Sequence, residues 1–328
     1  MQIYKFNTIL RPVLWGGDKL LPFKGMSPCG EFIGESWELS GVPGRESVVA
    51  GGEETGMTLS QLVRHYRENL VGESVYRRYG NQFPLLVKFI DARRDLSIQV
   101  HPDDKMARQR HGCSGKNEMW YILQADDHAL IRAGFSRPLT VEEFDRRLSN
   151  GTILDVVNAM SSRPGDVFYL PAGQIHSIGA GNMLVEIQQS SDITYRVWDF
   201  NRRDVDGNLR QLHIEEAREA LDFGPYNGRL QDLPSVGPHM TQLVKCDQFE
   251  VRHLDVDSHY SMPMPSPRSF VAIVCIQGNV NLLAEGLPPT SLRQGETALV
   301  PAIANVVEFT GEARLLLASV PDVGLKSF

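Results

Sequence analysis

Residues 84–101 read PLLVKFIDARRDLSIQVH. The runs 84–92 and 96–101 are rich in apolar and β-branched residues and are parted by charged ones, so they predict two short strands. Further runs of the same kind follow: EMWYIL (118–123), HALIRAGF (128–135), GDVFYLP (165–171), MLVEIQQ (183–189) and ITYRVWDF (193–200). Short strands separated by Gly, Pro, Asp and Ser indicate a mainly β fold, either a sandwich or a barrel. A parallel α/β sheet is disfavoured, because the intervals are too short and irregular to hold a crossover helix after every strand.

Helices are expected as insertions. In TLSQLVRHYRENLV (58–71) the residues Leu59, Leu62, Val63, Tyr66 and Leu70 fall at helical spacing. LTVEEFDRRLSNG (139–151) places Thr140 and Glu143 in capping-box register and closes at Gly151, and HIEEAREAL (213–221) is a third helical run. The Gly- and Pro-rich segment that follows marks a boundary near 224–240, beyond which a second strand series begins. A chain of 328 residues is long enough for two cores. The expected division is 1–235, carrying the helical insertions, and 236–328, a smaller β domain. RPGDVFYLPAGQIHSIG (163–179) is echoed by RQGETALVPAIANVVEF (293–309), but only the first copy contains a histidine, His176, so the chemistry is expected in the first domain.

A net charge of −7 and a pI near 5.7 argue against a generalised grip on nucleic acid, while leaving room for a local basic pocket. The N-terminal MQIYKFNTILRPVLWGG lacks the apolar core of a signal peptide, and no stretch approaches the roughly 18 apolar residues needed to span a bilayer. A cytoplasmic protein without membrane or nucleic-acid partners is the expectation. Cys29, Cys113, Cys246 and Cys275 are scattered and read as reduced structural thiols.

Alternate residues of a strand share a face, so Gln99 and His101 can both point inward while Ile98 and Val100 pack on the other side. Glu118 opens a predicted strand and could add a carboxylate, and His176 in PAGQIHSIG could add a second imidazole from a turn shaped by Pro171 and Gly173. Two imidazoles, a carboxylate and an amide oxygen suit one zinc ion per chain, with other divalent metals feasible. With a single charged ligand, such an ion keeps positive charge for polarising substrate oxygens.

In this order, Gln99-Val100-His101 with Glu118, then Pro171 to His176, resemble the two motifs of the cupins. More narrowly, VLWGG (13–17), IGESWELS (33–40), IQVHPDD (98–104), KNEMWYIL (116–123) and EIQQSSDITYRVWDFNR (186–202) resemble the type I mannose-6-phosphate isomerases in their short bacterial form. The resemblance implies a cupin jelly-roll barrel followed by a degenerate second cupin-like domain without metal ligands. It also implies zinc-dependent aldose-ketose interconversion of mannose 6-phosphate and fructose 6-phosphate through a cis-enediol. Arg196 then corresponds to the cation beside the metal, and Lys116 to an acid-base lysine. Longer members of the family carry a histidine where this chain has Gly115, so a role given to that histidine does not carry over.

Asp192 could pair with a cation of the site, and Lys88 is a candidate for the phosphate end. His111, His128, His213, His239, His253 and His259 lack motif context and read as surface or loop residues. Asp103 and Asp104 read as caps of a short helix, and Trp120, Tyr121 and Trp198 as core. A small sugar phosphate is the only partner implied, and a monomer is a plausible state. Two other readings share the same motifs: an iron-dependent cupin oxygenase, and a non-catalytic, metal-binding, sugar-sensing cupin.

Overall fold

The structure, a computed structural model, describes residues 1–203, 207–265 and 268–323. Three antiparallel sheets organise it. A seven-stranded sheet runs in the order Arg229–Leu230, Val167–Leu170, Glu118–Ala125, Asn182–Gln189, Leu85–Ala92, Ile9–Gly17, Ile33–Ser40. A five-stranded sheet runs Tyr195–Trp198, Ile98–Val100, His176–Ile178, Leu130–Phe135, Val157–Ser161. Ile90, Trp120, Ile122 and Leu184 of the first pack with Leu96, Ile131, Ala133 and Ile178 beside or on the second, forming the apolar filling of a barrel. This is the mainly β architecture with helical insertions that the sequence implies.

The third sheet has nine strands, centred on the long pair Val271–Ala284 and Val306–Ser319, and has its own apolar cluster around Leu254, Ile273, Leu282, Leu292 and Phe309. The chain crosses from the first unit to the second between Arg229–Leu230 and Ser235–Gly237. The N-terminal strand Tyr4–Lys5, however, pairs with Thr297–Val300 of the third sheet. The division at residue 235 is therefore our proposal with one amendment: the first few residues build the second unit.

Helix Leu59–Tyr66 is capped by Thr58, which accepts from the backbone N–H of Gln61 while the Gln61 side chain returns to the N–H of Thr58. The helical spacing over 58–71 does not give one helix, because Arg67 turns to φ 47° and a separate turn, Glu68–Val71, follows. The carbonyls of Asn69, Leu70 and Val71 accept instead from the N–H groups of Ile303, Ala302 and Phe270 in the second unit. Helix Val141–Ser149 begins at Thr140 as expected, with the Thr140 hydroxyl accepting from the Glu143 N–H. The Glu143 carboxylate pairs with Arg137 and Arg147. Asp103 caps helix Asp104–His111 through the Met106 N–H.

Candidate metal centre and cleft

Register builds the site. His176 faces Gln99 across one strand pair and Arg196 faces Gln99 across the next, so the three side chains lie in one cross-strand row of the five-stranded sheet. Glu118 enters from the end of its strand in the opposite sheet, where it pairs with Leu170 and Gln188. His101 stands just past the Ile98–Val100 strand, two residues from Gln99 and therefore on the same side. His101, Glu118 and His176 bring ligating atoms within 4.8 Å of one another, and all three are buried.

Hydrogen bonds to the outer ring nitrogens settle the tautomers. His101 Nδ1 lies 2.9 Å from the Ile193 carbonyl and His176 Nδ1 lies 2.8 Å from the Gln174 carbonyl, so each Nδ1 carries the proton and each Nε2 presents a lone pair inward. The two Nε2 atoms are 3.1 Å apart, and Glu118 Oε1 sits 3.2 Å from His176 Nε2. Converging lone pairs in a buried space repel unless a cation lies among them, and this donor set suits a divalent metal. Gln99 completes the group: its side-chain amide is 3.3 Å from His176 Nε2, and turning the amide over would present its oxygen instead.

Lys116 supplies positive charge from one side. Its Nζ lies 2.9 Å from His101 Nε2 and donates to Glu118 Oε2. Burial pushes the His101 pKa down to about 3, and the Lys116 charge adds to the effect. Burial acts to raise the Glu118 pKa, but the Lys116 charge outweighs it and holds the carboxyl well below its ordinary range. Lys116 reaches this position because the Lys116 N–H donates to the Pro102 carbonyl and the Gly115 N–H to Asp104. A Cβ on residue 115 would stand 2.5 Å from the Asp103–Asp104 backbone, so the glycine is a steric requirement of this loop.

Gln99 and Lys116 also line a cleft of about 310 Å³, together with Arg11, Lys88, Arg196 and Arg210 on its basic side. Glu35, Glu186 and Asp192 are the carboxylates in its wall, so five cations face three anions among the described lining residues. Lys88 is buried and bonded to Glu186 at 2.8 Å, with the Trp37 ring at 5.1 Å. Burial acts to lower the Lys88 pKa, but the Glu186 charge outweighs it and raises it. Glu186 also accepts from the Trp120 indole N–H at 2.9 Å, consistent with Trp120 as a core residue. Asp192 pairs with Arg45 and lies 4.0 Å from Arg11, both cations of the rim. A larger, more apolar cleft of about 580 Å³ adjoins and shares Val13, Trp15 and Arg210.

Arg196 donates to the Gln211 carbonyl at 2.8 Å, and its Nε is buried without a partner. Burial and then the neighbouring Arg210 lower its pKa, while the Asp199 charge opposes them. One residue assigned to the surface by sequence belongs here: the His213 ring accepts the Arg196 backbone N–H. No motif announces it, because the two residues are joined only by the fold. Of the other histidines, His111 bonds to the Tyr195 hydroxyl and His253 stacks on Tyr121. The four cysteines form no disulfide.

Comparison with known proteins agrees with this geometry. Residues 3–127 match the family described as phosphomannose isomerase type I, catalytic domain. The mannose-6-phosphate isomerase of Streptococcus mutans is 35% identical, covering 92% of this chain and 93% of the relative. ManA of Bacillus subtilis, another mannose-6-phosphate isomerase, is 32% identical over 95% of this chain and 97% of its own. The crystal structure of a Bacillus subtilis mannose 6-phosphate isomerase superposes with a TM-score of 0.87 at 30% identity, covering 97% of this chain and 99% of that one. A phosphomannose isomerase variant from Salmonella typhimurium, 18% identical, shares the fold with a TM-score of 0.78. With relatives this similar over nearly the whole chain, and a cupin barrel that matches theirs, the protein belongs to the type I phosphomannose isomerase family.

Proposed function

We propose that this chain interconverts mannose 6-phosphate and fructose 6-phosphate through a cis-enediol, with one zinc ion held by Gln99, His101, Glu118 and His176. The observation that carries the reading is the buried convergence of two imidazole lone pairs and a carboxylate beside a cleft rich in positive charge. When bound, zinc would act as a Lewis acid toward adjacent hydroxyl and carbonyl oxygens of a sugar. The chain's own residues account for the rest. Arg196, a fixed cation in the same row as Gln99, supports negative charge on the reacting oxygens. Lys116 holds an exchangeable proton at Nζ beside the ligand set and is the proposed proton carrier between the two carbons.

The excess of cations in the cleft favours a phosphate monoester, and its volume falls within the roughly 300–1,000 Å³ usual for small-molecule sites. Arg11, Lys88 and Arg210 are the cleft cations left to bind or orient that group, each already braced by a carboxylate, Glu35, Glu186 and Asp199 respectively. A cytoplasmic setting belongs to the same proposal, and four thiols without a disulfide fit it.

The test is a coupled assay with mannose 6-phosphate on purified protein, before chelation, after chelation and after zinc return, with elemental analysis at each stage. Turnover should vanish with the metal and come back with zinc. Unchanged turnover in metal-free protein would remove the zinc mechanism, and stoichiometric iron with oxygen uptake would replace it with oxygenase chemistry.

A further inference from the structure

Tyr195–Trp198 is the edge strand of the five-stranded sheet, with Ile98–Val100 on one side and, among the described residues, no strand on the other. Every second residue of an antiparallel edge strand turns its backbone N–H and C=O away from the neighbouring strand, and such groups need an acceptor and a donor from elsewhere. At Arg196 both come from one residue. The His213 backbone N–H donates to the Arg196 carbonyl at 2.8 Å, and the His213 ring Nδ1 accepts the Arg196 N–H at 3.2 Å. Two residues earlier, the Gln211 carbonyl accepts from Arg196 Nη1. His213 thus acts as a one-residue substitute for the missing strand.

Because both backbone groups of Arg196 turn toward His213, its pairing with Gln99 is the non-hydrogen-bonded kind, in which opposed side chains lie closest. The ring contact therefore fixes which way the Arg196 peptide faces, and with it the approach of the guanidinium to Gln99 and the cleft. His213 is itself held, since its carbonyl accepts the Ala217 N–H at the start of helix Ile214–Ala220.

We propose that His213 is a positioning residue for Arg196, acting through its ring Nδ1 as a hydrogen-bond acceptor. The inference rests on the catalytic reading of Arg196 given above. Only a group with an acceptor at the Nδ1 position can do this work. Asparagine offers one there, glutamine carries its amide one bond further out, and leucine offers none.

The experiment compares kcat and KM for mannose 6-phosphate, together with zinc content, in His213→Asn, His213→Leu and His213→Gln, with Arg196→Ala alongside. Expected are a fall in kcat of about tenfold or more in the Leu and Gln variants, with KM and zinc content near those of the parent, and recovery to within about threefold in the Asn variant. Equal kcat in the Asn and Gln variants would overturn the proposal, and this comparison remains decisive if the Leu variant does not fold. Full kcat in the Leu variant with loss in Arg196→Ala would overturn the positioning role alone. Full kcat in Arg196→Ala would remove the catalytic reading of Arg196 and the positioning role with it.

Discussion

Glu118 is the one carboxylate of the proposed ligand set, and its neighbours His101 and His176 each turn Nδ1 to a backbone carbonyl and Nε2 inward. Glu118→Gln keeps the shape and removes that charge, so zinc retained after dialysis should drop, with affinity down by at least about tenfold. Elemental analysis of the dialysed variant checks this, and full occupancy would mean that the carboxylate is not a ligand. Arg196→Ala should show the opposite split, with zinc content unchanged and kcat lower by on the order of a hundredfold, read in the coupled assay. The two outcomes together separate holding the metal from using it. At this scale the sequence was most informative where a strand's alternation does the work: Gln99 and His101 share a side because they are two residues apart. It was silent about His213, whose partner lies on a different element and whose role comes from an unpaired strand edge.

Strands were easier to read than the connections between them. The runs around 84–92, 118–123 and 183–189 appear as Leu85–Ala92, Glu118–Ala125 and Asn182–Gln189, because buried strands need continuous apolar side chains and turn residues at their ends. The break at Arg67 was not legible, since the groups that claim the carbonyls of residues 69–71, on Phe270, Ala302 and Ile303, come from segments between strands far downstream. The same limit applies to the loop that delivers Lys116. Gly115 reads as a departure from longer relatives in sequence, whereas in three dimensions it is the point where the loop touches the Asp103–Asp104 backbone. Gly115→Ala should push that contact apart, move Lys116 away from His101 and lower stability by about 1–3 kcal/mol, as overpacking does. Denaturant unfolding measures the stability loss and the coupled assay the fall in kcat. A variant with parental values in both would show that the loop adjusts without displacing the lysine.

Across the whole molecule, the two units are stitched together at several points rather than linked by a hinge. The N-terminal strand belongs to the third sheet, the carbonyls of 69–71 bond to the segments that flank its strands, and the Lys24 side chain bridges both units from a buried position. Lys24 Nζ lies 2.7 Å from Glu38 Oε1, donates to the Gly295 carbonyl in the second unit, and stands 5.0 Å from the Phe89 ring centre. Burial raises the Glu38 pKa even though Lys24 opposes it, so the pair is costly to keep charged and costlier to break. Lys24→Met keeps the apolar stem and removes the ammonium, leaving the buried Glu38 without that counter-charge and with the Ser36 and Thr8 hydroxyls as its donors. At neutral pH this should destabilise the protein by about 3–5 kcal/mol. The sign of the pH dependence follows from the raised pKa. Stability linked to Glu38 is fully present below the ordinary value of 4.5 and is lost as pH rises through the higher folded-state value. The Lys24→Met loss should therefore be smaller near pH 4.5 than at pH 7, and Glu38→Gln added to it should recover much of the neutral-pH stability. Denaturant midpoints of the single and double variants at the two pH values decide the matter. Equal losses at both would show that Glu38 is not carrying an uncompensated charge, and that the lysine joins the two units through the Gly295 contact alone.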